Sequence, residues 1–60
     1  MNQTFGKLIR QARKDKGLSQ RELAKLVDVN YTYLSKLEND HAGTPPSEDV
    51  IERLALHLEL

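Results

Sequence analysis

An all-α, four-helix fold is what these 60 residues predict. Three observations carry the expectation. Apolar residues recur at helical spacing in four separate stretches. Residues that start or stop helices stand between those stretches. There are no cysteines, so neither a disulfide nor a thiolate metal site can substitute for a core. The core must then be aliphatic helix packing, which the Leu, Ile, Val and Ala content suits. A chain this short makes one small domain that buries about 60% of its unfolded surface. At ~0.05–0.15 kcal/mol per residue, its whole stability is roughly 3–9 kcal/mol.

Helix one is expected from near Thr4 to Lys16. Phe5, Leu8, Ile9 and Ala12 fall at i, i+3, i+4 and i+7, one apolar stripe on an otherwise basic helix. Gly6 lies in the first turn, where its cost is limited. Gly17 followed by Leu18 reads as a left-handed C-cap with an apolar residue folding back, a Schellman-type stop.

The stretch from Ser19 to Asn39 reads as two short helices and a tight turn, which is helix-turn-helix geometry. Ser19 and Glu22 have capping-box spacing. Leu23, Ala24 and Val27 supply the apolar face of helix two, which ends near Val27. The small Ala24 suits a close helix crossing, and Val29 plugs the turn. Asn30 is a good N-cap for helix three, which runs to about Glu38 with Leu34 and Leu37 on its buried side.

Residues 39–46 have no periodicity, and their Gly and paired Pro mark a loop. Ser47 caps helix four, with Glu48 and Asp49 where the helix dipole favours anions. Val50, Ile51, Leu54, Ala55 and Leu58 form its expected stripe. The chain then ends in LALHLEL. Leu56, Leu58 and Leu60 cannot all be buried by one four-helix face, so a partner chain or a further C-terminal segment is expected to cover this end.

The formal net charge is zero, but it is segregated along the chain. Residues 1–37 carry eight basic and three acidic side chains, a balance of +5; residues 38–60 carry one and six, a balance of −5. Such a chain can turn a basic face to phosphate while holding its acidic end away. Solvated helix surfaces would explain the numbers but not the segregation. No run approaches the roughly eighteen apolar residues of a membrane span. The N-terminal stretch lacks the apolar core of a secretory signal, so a cytoplasmic setting is the expectation. His41 and His57 lie on different elements with no third ligand, and Glu48, Asp49 and Glu52 read as dipole complement and solvated face. No nucleophile arrangement or phosphate-cradling glycine loop is present. No enzyme activity, metal or cofactor is expected.

At GLSQRELAKLVDVNYTYLSKLEN the chain resembles the lambda-repressor/Cro-type helix-turn-helix family of DNA-binding proteins. LIRQARKDKG is similar to that family's first helix and PPSEDVIERLALHLEL to its fourth, so the resemblance spans residues 5–60. Three departures stand out. Asp28 occupies a turn position where the family usually has Gly; Asp tolerates the left-handed region better than most. Glu59 also stands where Gly is common, so helix four is expected to run on. The fifth helix that usually completes the fold is absent, as if residues 1–60 were the N-terminal part of a longer regulator.

The resemblance implies a recognition helix at residues 30–38 lying in the major groove. By similarity Tyr31, Thr32 and Lys36 are the base readers, with Asn30 and Ser35 in support. Lys36 can donate to guanine O6 and N7. Thr32 can bond to a base edge or lay its methyl against thymine. Tyr31 offers a ring to a thymine methyl or a hydroxyl to phosphate; the plainer reading is an aromatic stacked on helix two. Tyr33 reads instead as packed toward helix one and the loop. Phosphate contacts are expected from Ser19, Gln20, Arg21 and Asn39, with Arg10, Lys14 and Lys25 attracting at longer range. In relatives, residues matching Arg13 and Glu38 form a semi-buried ion pair, an architectural role.

The resulting expectation is a sequence-specific, double-stranded DNA-binding unit of a bacterial or phage transcriptional regulator, acting as a homodimer. A second reading stays open: a helical protein-interaction module using Leu26 and the Leu56–Leu60 end, without DNA binding.

Overall fold

The computed structural model describes residues 4–60. It contains four helices in the expected order: α1 (Phe5–Asp15), α2 (Gln20–Leu26), α3 (Tyr31–Glu38) and α4 (Glu48–Leu58). Each begins at a side-chain cap. Thr4 accepts from Lys7 N–H, Asn30 from Thr32 N–H and Ser47 from Val50 N–H. Ser19 and Glu22 form the reciprocal capping box. Each of these bonds satisfies an amide that the first helical turn leaves without a partner.

The helix ends are equally uniform. Gly17, Asp28, Asp40 and Glu59 all adopt left-handed backbone, with φ of 70°, 56°, 60° and 57°. After each, the next amide folds back five residues: Leu18 to Arg13, Val29 to Ala24, His41 to Lys36, and Leu60 to Ala55. These are Schellman stops, and three of the four lack glycine. The Asp28 turn is therefore built as the sequence suggests. Glu59 corrects an expectation: it takes the left-handed cap itself, and α4 stops at Leu58. Glu59 also pairs with Lys16, just past the end of α1, on the exposed surface. That bond and the adjacent positive charge draw the Glu59 carboxyl below its ordinary titration range.

The core joins all four helices through Ile9, Leu23, Ala24, Val27, Leu34, Leu37, Leu54 and Leu58. Leu18, Val29 and Tyr33 pack against it from the connections and α3. The α1 stripe differs from the periodic reading. Ile9 is buried and Ala12 is half-buried, but Phe5 and Leu8 remain substantially exposed. The buried face instead includes Gly6 and Arg13. The cause is a close crossing of α1 over the end of α3. A Cβ on Gly6 would stand 2.4 Å from the Leu37 carbonyl oxygen and 2.8 Å from that of Glu38. Contact this tight rotates the helix so that its smallest residue faces α3. Gly6 is thus a packing requirement rather than a tolerated defect.

Two polar side chains tie elements together across the fold. Asp40 accepts from Gly6 N–H at 3.2 Å and from the Thr4 hydroxyl at 2.8 Å, so the end of α3 caps the start of α1. Arg53 of α4 donates to the Val27 carbonyl at 3.0 Å, satisfying an orphan acceptor at the end of α2, and pairs with Asp49. At the C-terminal end Leu58 is buried while Leu56 and Leu60 are 74% and 56% exposed. Ile51, expected in the α4 stripe, also lies outside the core. No helix among the described residues is long and apolar enough to cross a membrane.

Candidate nucleic-acid interface

Helix α3 has two chemically distinct sides. Leu34, Leu37 and Glu38 are buried, whereas Tyr31, Thr32 and Lys36 are exposed and Ser35 is half-buried. The three polar residues expected to read bases therefore share the outward side of one helix. Asn30 has a structural task as well: its Oδ1 accepts from Thr32 N–H at 2.7 Å. That bond fixes the start of α3, and Asn30 is itself exposed. Asn39 closes the other end, donating its Nδ2 to the Ser35 carbonyl at 2.8 Å.

Behind α3 lies the bracing pair. Arg13 Nε donates to Glu38 Oε2 at 2.7 Å and its second terminal nitrogen to Oε1 at 3.0 Å. The remaining terminal nitrogen donates to the Leu18 carbonyl at 2.8 Å. Arg13 is 8% exposed and Glu38 2%, so this is a buried, bidentate ion pair of the kind that fixes relative orientation. It joins α1, the α1–α2 connection and α3.

Gln20 belongs to the same network. Its side-chain amide donates to Glu38 Oε1 at 3.0 Å, an internal acceptor that the phosphate-clamp expectation did not include. One amide hydrogen is committed to Glu38, and the other is the one left for an external acceptor. Every buried side-chain nitrogen and oxygen among the described residues has a partner, so the network closes without an orphan charge. Only its Arg13–Glu38 half was legible beforehand, through a resemblance. Gln20 lies eighteen positions from Glu38, a pairing that no local pattern encodes.

Ser19 spends its hydroxyl on the Glu22 amide at 3.0 Å, and Glu22 returns a carboxylate to Ser19 N–H at 2.8 Å. The Ser19 backbone amide and then its hydroxyl pull the Glu22 carboxyl below its ordinary range. Arg21 is exposed beside this cap, with its guanidinium carbon 4.9 Å from the centroid of the Tyr31 ring. Tyr31 is 42% exposed, so it rests against Arg21 of α2 while part of the residue stays open to solvent. Arg10, Ser19, Gln20, Arg21 and Tyr31 line a shallow recess of about 400 Å³ together with Arg13. A polar, cation-rimmed recess beside an exposed polar helix can hold an oxyanion next to a second, flatter ligand surface. Among the described residues, no three His, Cys, Asp or Glu side chains gather as a metal site would require.

Two short helices joined through a left-handed turn, the second outward-facing and braced from behind, define a helix-turn-helix protein. The chain belongs to the helix-turn-helix family of lambda-repressor/Cro type, whose model matches residues 9–60. That is a family of DNA-binding regulators and not of enzymes. The chain is 40% identical over 56 residues to the ImmF control region 10 kDa protein of Bacillus phage phi105, covering 93% of this chain and 60% of that one. It thus spans about three fifths of the phage protein's length. Among solved structures it is similar to SinR in a SinR–SinI protein complex, with a TM-score of 0.85, 37% identity, and coverage of 95% of this chain and 54% of that one. It is equally similar, at a TM-score of 0.85 and 37% identity, to SinR, the master regulator for biofilm formation, in complex with DNA; there 95% of this chain and 89% of that one are covered.

Proposed function

We infer that this chain is the sequence-specific, double-stranded DNA-binding unit of a bacterial or phage transcriptional regulator. Helix α3 enters the major groove with Tyr31, Thr32 and Lys36 against base edges, and Asn30 and Ser35 support them. Ser19, Gln20, Arg21 and Asn39 take phosphates at the groove margins. The observation that carries this reading is the two-sided α3: an outward face of Tyr31, Thr32 and Lys36 on a buried, ion-paired back. The family match and the likeness to a SinR–DNA complex support the same reading.

The chemistry divides as such interfaces usually do. Phosphate contacts supply affinity and salt dependence, and base contacts supply preference. Lys36 favours guanine through O6 and N7. One copy covers little DNA, so tight binding takes two copies on half-sites about 34 Å apart. Selection from a random DNA pool tests the reading directly. A palindromic motif is expected, lost when Tyr31, Thr32 and Lys36 are replaced by Ala. A motif that survives all three changes would mean that another face reads the DNA.

Exposed Leu26, Leu56 and Leu60 favour a second reading, a protein-interaction module. A titration with random-sequence DNA at two salt concentrations separates the two. Binding whose logarithm falls with log salt at about −0.9 per neutralised phosphate supports the DNA reading. No binding at ~50 mM salt supports the other.

A further inference from the structure

We propose that Arg21 is a positioning residue for Tyr31, and that the base preference contributed by Tyr31 depends on the stack between them. The inference rests on the DNA-binding reading above and deepens it. A phosphate role alone does not require Arg21 to touch Tyr31. Its guanidinium lies over the Tyr31 ring, 4.9 Å from the centroid.

The two residues come from different helices whose relation is set by buried packing through Leu23, Ala24, Val27 and Leu34. Tyr31 is the first residue of α3, where the Asn30 cap fixes the backbone. The ring lies outside the hydrophobic core, and 42% of the residue is exposed. Arg21 supplies a restraint on it. The stacked pair is also the shared wall between two recesses. One, of about 400 Å³, includes Arg10, Ser19 and Gln20. The other, of about 550 Å³, includes Glu22, Lys25 and Asp28.

Stacking leaves the guanidinium chemistry available. The attraction uses the flat face of the cation against the negative face of the ring. Arg21 is exposed, and a guanidinium engaged through its face keeps its in-plane N–H donors for a phosphate. One side chain therefore both contacts backbone and holds a neighbouring reader in its orientation. An exposed pair of this kind corresponds to about a two- to fivefold change in an equilibrium.

The test combines base preference with a DNA-free readout. Arg21→Ala is measured in the wild-type and Tyr31→Leu backgrounds against the selected site and its single-base variants. In the wild-type background it should lower discrimination at one base pair per half-site by about two- to fivefold, beyond any uniform loss of affinity. In the Tyr31→Leu background the same change should leave discrimination untouched. An equal loss for every sequence, identical in both backgrounds, would make Arg21 an independent phosphate contact and overturn the proposal.

In the free protein, the Arg21 side-chain protons should show a ring-current shift by NMR. The shift should persist in Tyr31→Phe and vanish in Tyr31→Leu. Its absence from the wild-type protein overturns the stack whatever the DNA result. Failure of the wild-type protein to bind DNA at low salt, with the shift present, would overturn the DNA-binding reading and with it the role assigned to the stack.

Discussion

Replacing Arg13 by Met should remove most of this domain's stability, and the structure says why. Arg13 makes three hydrogen bonds: two to Glu38, at 2.7 and 3.0 Å, and one to the Leu18 carbonyl, at 2.8 Å. Met has similar length and fills the same channel, so the apolar stem is largely conserved. The charge is not. Glu38, 2% exposed, would keep only the Gln20 amide as a partner. Stranding a buried carboxylate in this way costs about 3–5 kcal/mol. A 60-residue chain has roughly 3–9 kcal/mol in total.

At about 4–8 °C per kcal/mol for a domain of this size, the melting temperature should fall by more than ~10 °C. Urea denaturation and thermal melts followed by far-ultraviolet circular dichroism would measure it. Lys36→Ala, on the exposed side of α3, should stay within ~0.5 kcal/mol of wild type. The double variant Arg13→Met, Glu38→Leu should recover much of the loss, because an apolar pair can replace a buried ion pair at little cost. Equal melting temperatures for Arg13→Met and Lys36→Ala would refute the reasoning. So would a double variant no more stable than the single one, since the penalty would then not come from the stranded charge.

Three further outcomes follow from the same structure. Asp28→Gly should stabilise by about 1 kcal/mol, because φ of 56° is strained for a side-chain-bearing residue and free for glycine; a lower urea midpoint would show that the Asp side chain supports the turn. Gly6→Ala should destabilise by about 1–3 kcal/mol, since its methyl would meet backbone oxygens at 2.4 and 2.8 Å; an unchanged melting temperature would mean that α1 slides to make room. The Glu22 carboxyl titrates lower in the folded chain than when unfolded, so its contribution is present above the ordinary glutamate range and is lost as pH falls through the folded-state value. Stability of the wild type should therefore drop more steeply on acidification than that of Glu22→Gln, a difference that parallel urea titrations from pH 6 to pH 3 would read.

The exposed face of α3 is legible in sequence because its determinants are local. The outward set Tyr31, Thr32 and Lys36 follows from where Leu34 and Leu37 must point, and the Asn30 cap from its place before the helix. Phosphate candidates were harder to rank. Gln20, Ser19 and Asn39 each turn out to hold an internal hydrogen bond, and residue type does not reveal whether a polar group is already occupied. The roles of Asp40 and Arg53 are not legible locally, because each acts on a distant element.

The division is one of range. Helix starts at Ser19, Asn30 and Ser47 and the stop at Gly17 depend on residues within about four positions, so the sequence alone determined them. The same holds for the aliphatic, four-helix character of the core. Which side of α1 is buried, why Gly6 is required and how Gln20 joins Arg13 and Glu38 were decided by tertiary structure. Each depends on contacts between residues far apart in sequence, such as the Asp40–Thr4 bond at a separation of 36. Periodicity shows that a helix has an apolar side; only docking against α3 selects how that side is turned.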